Sequence, residues 1–223
     1  MNIEKKWFYL MSEIGDEKIM ISNDLEIVLF DDGLQNRQIE IWENSKVSIF
    51  WVLEKQEDYN IDFEQSSQWS ILVARYLLLS KNNKLKAKVY SDLEANNTSS
   101  DVKIISIIWN DGSVDLDGII KIGKWISWVK AKLIEENLFL WSTGKAKWIP
   151  TLLVRSDDVE ASHACKMERI SDEKLFYLRS RWVGKENALH MMVESYIIDL
   201  LWWLKDANRD LYDHLIWEIE KQI

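Results

Sequence analysis

The sequence contains little cysteine, proline or glycine: one cysteine, one proline and seven glycines occur among its 223 residues. The single thiol, Cys165, cannot form a disulfide within the chain, so nothing in the sequence requires an oxidising compartment. The scarcity of proline and glycine leaves little material for a flexible linker between separately folded units. We therefore expect one globular unit that buries its core without disulfides or structural metals.

Long apolar runs are also absent. The N-terminal run at residues 7–11 is followed closely by acidic residues and is too short for the apolar region of a signal peptide. The most apolar stretch, YIIDLLWWL at residues 196–204, contains an aspartate and is too short to span a bilayer. We expect a cytoplasmic protein that has no membrane segment.

Three glycine-dependent motifs are missing: Gly-x-Gly-x-x-Gly, Gly-x-x-x-x-Gly-Lys-Ser/Thr and Gly-x-Ser-x-Gly. The first binds dinucleotides, the second holds nucleotide phosphates, and the third presents the nucleophile of α/β-hydrolases. Their absence argues against the common forms of dinucleotide redox chemistry, nucleotide hydrolysis and α/β-hydrolase chemistry.

Short segments rich in isoleucine, valine and aromatic residues occupy the first third of the chain: KIMIS, LEIVLFDD, RQIEIWE and KVSIFWVLEK. In RQIEIWE, apolar and polar residues alternate, as in a strand with one buried face. Turn residues separate the segments, so we predict an antiparallel meander. Further strands are expected at KLKAKVYSD and at VKIISIIW, which turns through Asn110, Asp111 and Gly112 into SVDLD.

Helical spacing appears at two internal places and near the C-terminus. An apolar stripe at i, i+3, i+4, i+7 and i+8 predicts a helix that contains Trp69, Leu72, Val73, Tyr76 and Leu77. A second helix is expected at residues 123–137. The predicted fold class is α+β, with a largely antiparallel sheet and packing helices in the first two thirds, then a helical C-terminal third. Residues 1–155 would form the mixed region and residues 156–223 the helical region packed on it.

Basic residues concentrate in one part of an acidic protein whose net charge is −9. Residues 118–155, here called the basic segment, contain seven bases and two acids. Lysines that alternate with tryptophans suit a polyanion, because cations bind phosphates and indoles stack on bases. The residues predicted to bind are Lys121, Lys124, Trp125, Trp128, Lys132, Lys145 and Lys147. Alternatively, the lysines solvate one face while the tryptophans point into the core.

The stretch WNDGSVDLDGIIK at residues 109–121 contains three aspartates. It fails the calcium-loop pattern, because the first ligand position holds Ser113 and the last holds Lys124. Asp115 and Asp117 nevertheless share one face of a strand, an arrangement in which carboxylates hold a divalent metal. We weigh a divalent metal site at these two aspartates against a solvated hairpin face. No other cofactor is expected.

Two further groups of titratable residues are weaker candidates. Glu186, His190 and Glu194 recur at i, i+4 and i+8 of a predicted helix but lack the second histidine of the His-Glu-x-x-His metalloprotease motif. His163 and Cys165 lie together in a predicted loop, where one histidine and one cysteine are too few for a structural zinc site. Both groups have a simple explanation as solvated polar residues.

The absence of a complete catalytic motif and the abundance of tryptophan favour a cytosolic macromolecule-binding protein, such as an inhibitor, immunity-type or accessory factor with a protein partner. One alternative is a metal-dependent enzyme that acts on nucleic acid or phosphate esters through Asp115 and Asp117. Another is a non-catalytic nucleic-acid binder that uses the basic segment. The apolar C-terminal helices would also fit the interface of a homo-oligomer, and no membrane partner is expected.

Overall fold

Parallel strands dominate the protein. A computed structural model describes residues 2–3, 8–14, 17–31, 36–55, 58–140, 142–170 and 172–221. Within these residues the chain forms fifteen strands and four helices. In chain order they are β1 (Asn2–Ile3), β2 (Phe8–Leu10), α1 (Met11–Ile14), β3 (Lys18–Ile21), β4 (Glu26–Asp31), β5 (Asn36–Ile41), β6 (Lys46–Leu53), β7 (Asp58–Gln65), β8 (Ile71–Ser80), β9 (Lys84–Leu93), β10 (Ser99–Ile108), β11 (Ser113–Lys124), β12 (Val129–Phe139), β13 (Lys145–Trp148), β14 (Thr151–Arg155), β15 (Val159–Arg169), α2 (Asp172–Ser180), α3 (Lys185–Ala207) and α4 (Arg209–Glu220).

The chain winds alternately through two sheets. Sheet A contains β1, β3, β5, β7, β9 and β11 in that order, and both β13 and β14 pair with β11. Sheet B contains β2, β4, β6, β8, β10, β12 and β15 in that order. Neighbouring strands in both sheets are parallel. Because each strand pairs with a strand one coil away, the described residues form a two-sheet β-solenoid.

The coils lengthen along the chain. In sheet B, Val28 lies beside Ser48, about 20 residues later, whereas Asp101 lies beside Lys132, about 30 residues later. The added residues extend the strands and the turns between them. The solenoid therefore widens towards its C-terminal coils.

Alternate side chains of both sheets point into the solenoid and form a continuous apolar core. Ile19, Ile39 and Phe63 lie side by side on successive strands of sheet A and are fully buried. Burial of each such side chain contributes about 1.5–3 kcal/mol. Stacking of apolar residues from coil to coil therefore provides the main stabilisation of the fold.

The two outer faces differ. Sheet A is polar on its outer face, and β9 accordingly alternates between buried and solvent-facing residues. Sheet B is covered over the second half of its strands by helices α3 and α4. Phe50, Leu77 and Ile105 lie in the same apolar cluster as Leu200 and Leu204. Strands of sheet B are therefore apolar on both faces in this half.

Polar contacts also hold α3 against sheet B. The Lys103 ammonium lies 3.4 Å from Glu136 on the neighbouring strand and also bonds Asp199 of α3. The Tyr196 hydroxyl of α3 donates a hydrogen bond of 2.6 Å to Glu168 of β15. These contacts fix the position of the helix relative to the last three strands of sheet B.

One corner of the coils repeatedly carries a residue with positive φ. Asp24, Asn44 and Asn97 have φ values of 60°, 55° and 57°, and the amide of each donates to a carbonyl of the next coil. Aspartate and asparagine adopt this left-handed conformation at low cost. Trp69 and Trp128 occupy equivalent corners with φ values of 61° and 60°, which is unusual for bulky side chains.

The predicted α+β class with a largely antiparallel sheet is wrong. Consecutive strands lie in different sheets, and each pairs in parallel with a strand one coil away. The turn at Asn110–Gly112 joins β10 of sheet B to β11 of sheet A and is not a hairpin. Alternation of polar and apolar residues reveals the buried face of a strand, but it does not identify the neighbouring strand.

Both predicted internal helices are wrong as well. Most of the stripe from Trp69 to Leu77 lies in β8, and residues 123–137 contain the end of β11 and most of β12. The second half of β8 is buried on both faces, so its apolar residues also satisfy a helical spacing.

The predicted helical C-terminal third is wrong because β15 is the last strand of sheet B and the C-terminal helices begin only at Asp172. The proposed division between residues 1–155 and 156–223 stays a prediction. The loop expected at residues 156–168 is largely strand, since β15 begins at Val159.

Replacement of Trp128 by asparagine is expected to raise the free energy of unfolding by roughly 0.5–1 kcal/mol. The indole is 72% exposed and loses little packing, whereas asparagine adopts the left-handed conformation more readily. Urea unfolding checks the value. The reciprocal variant Asn97→Trp should lower stability by a similar amount, and a destabilised Trp128→Asn variant would contradict the strain argument.

Candidate functional site at the open end of the solenoid

The residues expected to bind a polyanion do not share one surface. Lys121 and Lys147 lie on the polar outer face of sheet A, whereas Lys132 lies on sheet B. Lys145 begins β13, and Lys124 ends β11. The set is therefore distributed over two sheets, and its role in binding stays a prediction.

Two tryptophans of the basic segment lie on the surface, whereas Trp148 packs partly against the interior core. Trp125 is 94% exposed and Trp128 is 72% exposed, at the corner between β11 and β12. These two indoles belong to the surface and not to the core.

Ion pairs occupy part of the basic segment. The Lys121 ammonium donates a hydrogen bond of 2.8 Å to Asp92 and also bonds Glu94, and these hydrogen bonds raise the pKa of Lys121 above its usual value. The Lys147 ammonium lies 3.5 Å from the Asp115 carboxylate. These lysines are neutralised by acids on neighbouring strands, which weakens a polyanion track on this face.

Asp115 and Asp117 point to the same outer face of β11, as expected for a strand. On the adjacent strand β9, Lys86 lies beside Asp115 and Lys88 lies beside Asp117. In the part of the chain that the structure describes, no three histidine, cysteine, aspartate or glutamate side chains are grouped to hold a metal ion. A divalent metal at these aspartates stays a prediction, and the neighbouring ammonium groups favour ion pairing.

The last coil of the solenoid leaves an open end. Strands β13, β14 and β15 follow β11 and β12, and among the described residues no further strand pairs with the outer edge of β15. A strand of eleven residues thus presents backbone N–H and C=O groups along a free edge. Free edges of this length are pairing surfaces for another chain unless they are covered.

The inward-facing side chains of β15 change character along the strand. Val159 and Ala161 pack partly against the interior core, whereas His163, Cys165 and Met167 are exposed. All five share one face because side chains of a strand alternate. An imidazole and a thiol are therefore presented together at the open end.

Glu135 lies directly beneath this exposed thiol. It occupies the position beside Cys165 on the neighbouring strand and is 0% exposed. Neither carboxylate oxygen has a hydrogen-bond partner. Across the interior in sheet A lies Gly118, and a Cβ atom there would collide with the Glu135 carboxylate. A side chain at this position would force the Glu135 carboxylate to shift.

Electrostatics at Glu135 follow from this burial. Desolvation and, secondarily, the negative charge of Asp117 raise the pKa of Glu135 to about 7. Burial and the charge of Glu135 raise the pKa of the Cys165 thiol. Asn137 and Ser106, which lie beside one another on β12 and β10, also have buried polar atoms without hydrogen-bond partners.

Sequence reasoning missed Glu135 and Asn137 and placed His163 and Cys165 in a loop. The sequence did contain a signal for Glu135 and Asn137. Both residues continue the alternation in VKAKLIEENLF that places Val129, Ala131 and Leu133 on the inward face of the strand. The expected helix at residues 123–137 concealed this alternation.

The fold and this site can be compared with known proteins. The family described as "SUF system FeS cluster assembly, SufBD core domain" matches residues 35–196 of the chain. The chain belongs to the SufBD family. The match runs from the residue before β5 into α3 and includes Glu135, His163 and Cys165.

Curated relatives carry the same family name. An "Iron-sulfur cluster assembly SufBD family protein" of Staphylococcus haemolyticus is 33% identical over 104 residues, which cover 47% of this chain and 22% of the relative. Proteins of the same name in Staphylococcus epidermidis and Staphylococcus aureus match to the same extent. The match thus spans about a fifth of the length of these curated relatives.

SufBD family membership overturns the functions predicted from the sequence. An inhibitor or immunity factor, a metal-dependent enzyme acting on nucleic acid or phosphate esters, and a nucleic-acid binder are wrong, because the family belongs to a system for iron–sulfur cluster assembly. Among the described residues, no helix combines the length and apolar character needed to cross a membrane.

Glu135 should make stability depend on pH. Its pKa rises from 4.5 to about 7 on folding, so between these values the folded state binds more protons than the unfolded state. The contribution of Glu135 to stability therefore falls as pH rises through this window and levels off above about pH 7. Glu135→Gln is expected to remove this slope and to raise the free energy of unfolding above pH 7 by about 1–3 kcal/mol.

Urea unfolding in chelator-treated buffer at about pH 5 and about pH 8 measures this difference. The matched control is Glu136→Gln, because Glu136 is the next residue on β12 and instead bonds Lys103 on the outer face. Identical pH slopes for wild type and Glu135→Gln would refute the assignment.

Proposed function

We propose that this SufBD-family solenoid acts in iron–sulfur cluster assembly by docking a protein partner on its open end. The free edge of β15, with its exposed imidazole and thiol, is the observation that carries the proposal. The names of the family and of the curated relatives support a role in cluster assembly.

Exposed apolar side chains on the last coil of the described residues support docking. Solenoids usually end in a coil that shields the interior from water. Here Met167 on the inward face of β15 is 56% exposed, and Val154 on β14 is also exposed. A protein that adds its own strand edge to β15 would pair the free backbone groups and cover these apolar side chains.

His163 and Cys165 give the docked surface a chemical role. Imidazole and thiolate are ligands for iron and for iron–sulfur clusters. The described chain offers too few such side chains at this place for a complete ligand set. We propose that these two residues bind an iron–sulfur cluster as cargo and that the partner supplies the remaining ligands.

A second exposed apolar surface lies on the helices. Phe176 and Tyr177 of α2, Trp182 in the following turn and Met191 of α3 are all exposed. Exposed apolar patches of this kind mark protein interaction sites. These exposed side chains on the helices support contact with a further protein.

Docking is tested with proteins of the SUF system from the same cells, each purified and mixed singly with the full chain. Met167→Lys places a charge on the open end and is expected to weaken the complex at least about tenfold, because the charge must be desolvated on docking. Size-exclusion chromatography with mass measurement and titration calorimetry provide the readout.

Ile71→Lys is the matched control, because this isoleucine is 38% exposed but lies on β8 in the middle of sheet B. Equal affinity of the Met167→Lys variant and wild type would overturn docking at the open end. Sedimentation of the chain alone distinguishes a second copy as the occupant, since Met167→Lys would then abolish a dimer.

A further inference from the structure

Four exposed tryptophans adopt a backbone conformation that bulky residues rarely take. Trp69, Trp125, Trp128 and Trp182 have φ values of 61°, 62°, 60° and 66°. In this left-handed region the Cβ atom of an L-residue crowds the following carbonyl oxygen, so glycine, which has no Cβ atom, is the usual occupant. The four side chains are between 55% and 98% exposed, so packing of the indoles does little to offset this strain.

The end of helix α2 shows what the backbone requires at one of these positions. The Val183 amide donates to the Leu178 carbonyl at 3.3 Å, and the Trp182 amide donates to the Arg179 carbonyl at 3.0 Å. This pair of hydrogen bonds defines the Schellman motif, in which the left-handed residue after the helix is usually glycine and sometimes asparagine. Trp182 therefore stands in the position of a glycine that ends a helix.

The corners of the solenoid give an independent comparison. The Asn97 amide donates at 3.0 Å to the carbonyl of Ser127, and in the next coil the Trp128 amide donates at 3.0 Å to the Asp158 carbonyl. The two residues thus have the same conformation and the same bonding in consecutive coils. Asparagine tolerates a positive φ, whereas tryptophan does not. The corner therefore requires a residue that is stable in the left-handed conformation.

Glycine is missing from these left-handed positions. Within the described residues, positive φ values outside glycine occur only at asparagine, aspartate and tryptophan. The described glycines have no left-handed φ: Gly112, Gly118, Gly123, Gly144 and Gly184. The chain contains seven glycines and thirteen tryptophans. An average glycine content of about 7% would give about 16 glycines. Tryptophan is thus abundant in a chain that is poor in glycine, and it occupies positions that suit glycine.

We infer that Trp69, Trp125, Trp128 and Trp182 occupy glycine positions of this fold, and that the cells of origin insert glycine there by reading UGA codons as glycine. UGA connects the two residues, because variant genetic codes read it as tryptophan or as glycine. It also differs from the glycine codon GGA only in its first base. The strain at these four positions then belongs to the tryptophan form of the chain alone.

The glycine form has a different surface from the tryptophan form. It lacks the exposed indoles at the solenoid corners and at the end of α2, whereas Phe176 and Tyr177 of α2 stay exposed. The edge of β15 is the same in both forms, because none of the four positions lies in that strand. The inference therefore does not depend on the proposed function.

Peptide mass spectrometry of the protein purified from its own cells identifies the residue at each position directly. We expect glycine at all four positions and UGA at the four corresponding codons of the gene. Tryptophan at any of these positions in that protein, or a UGG codon at any of them, would overturn the inference. Neither result bears on partner docking, which Met167→Lys tests separately.

Pairs of variants of the tryptophan form separate the backbone conformation from the loss of the indole. At each of the four positions the glycine variant should be more stable than the alanine variant. Both variants lack the indole, but only glycine accepts the left-handed conformation without a clash at Cβ. The four glycine replacements together should raise the midpoint of urea unfolding by about 0.5–1 M above that of the tryptophan form.

Trp202 provides the matched control, because it is 53% exposed but lies within helix α3. Here the order should reverse, with Trp202→Ala more stable than Trp202→Gly, since glycine is unfavourable in the interior of a helix. Alanine variants as stable as the glycine variants at the four left-handed positions would refute their assignment to glycine.

Discussion

Parallel pairing between successive coils is the constraint on which the rest of this structure depends. A single coil cannot bury its apolar side chains, so each relies on the coil before and after it for its backbone hydrogen bonds and its core. Ile19, Ile39 and Phe63 illustrate this dependence, because each is buried by the next. A coil without a successor must expose a strand edge and one layer of the interior. The free edge of β15 and its exposed inward face are direct consequences.

The outer faces of the two sheets have different surroundings. Sheet A faces water and pairs its charges across strands, as Lys121 does with Asp92 and Lys147 does with Asp115. Sheet B faces helices α3 and α4 and is apolar on both sides beneath them. Net charge along the sequence therefore says little about surface potential, because the lysines of the basic segment and their acidic partners come from different coils. The pairing explains how a locally basic sequence yields a largely neutralised face.

Several strands could be predicted from the sequence, but their arrangement could not. The alternation in RQIEIWE and KLKAKVYSD identified strands of sheet A correctly, because one face of that sheet is solvated. In sheet B the same logic failed at β8, where burial on both faces produces a helical spacing by coincidence. Coils that lengthen from about 20 to about 30 residues also leave no fixed period to detect. For the site, Glu135 could have been found from its inward phase on β12, but its neighbour Cys165 could be identified only through the register of β15.

The position of the polar group relative to the open end follows from the same architecture. A filled solenoid is continuous along its axis, so a buried side chain in a middle coil, such as Tyr76, is separated from solvent by several layers of core. Glu135 is separated only by β15, whose inward residues at this point are exposed. An interior group within one coil of an end lies only about 4.8 Å from the surface that a partner would cover, since each coil adds one layer of packed side chains. A partner that adds a strand to β15 would bury this region by one further layer.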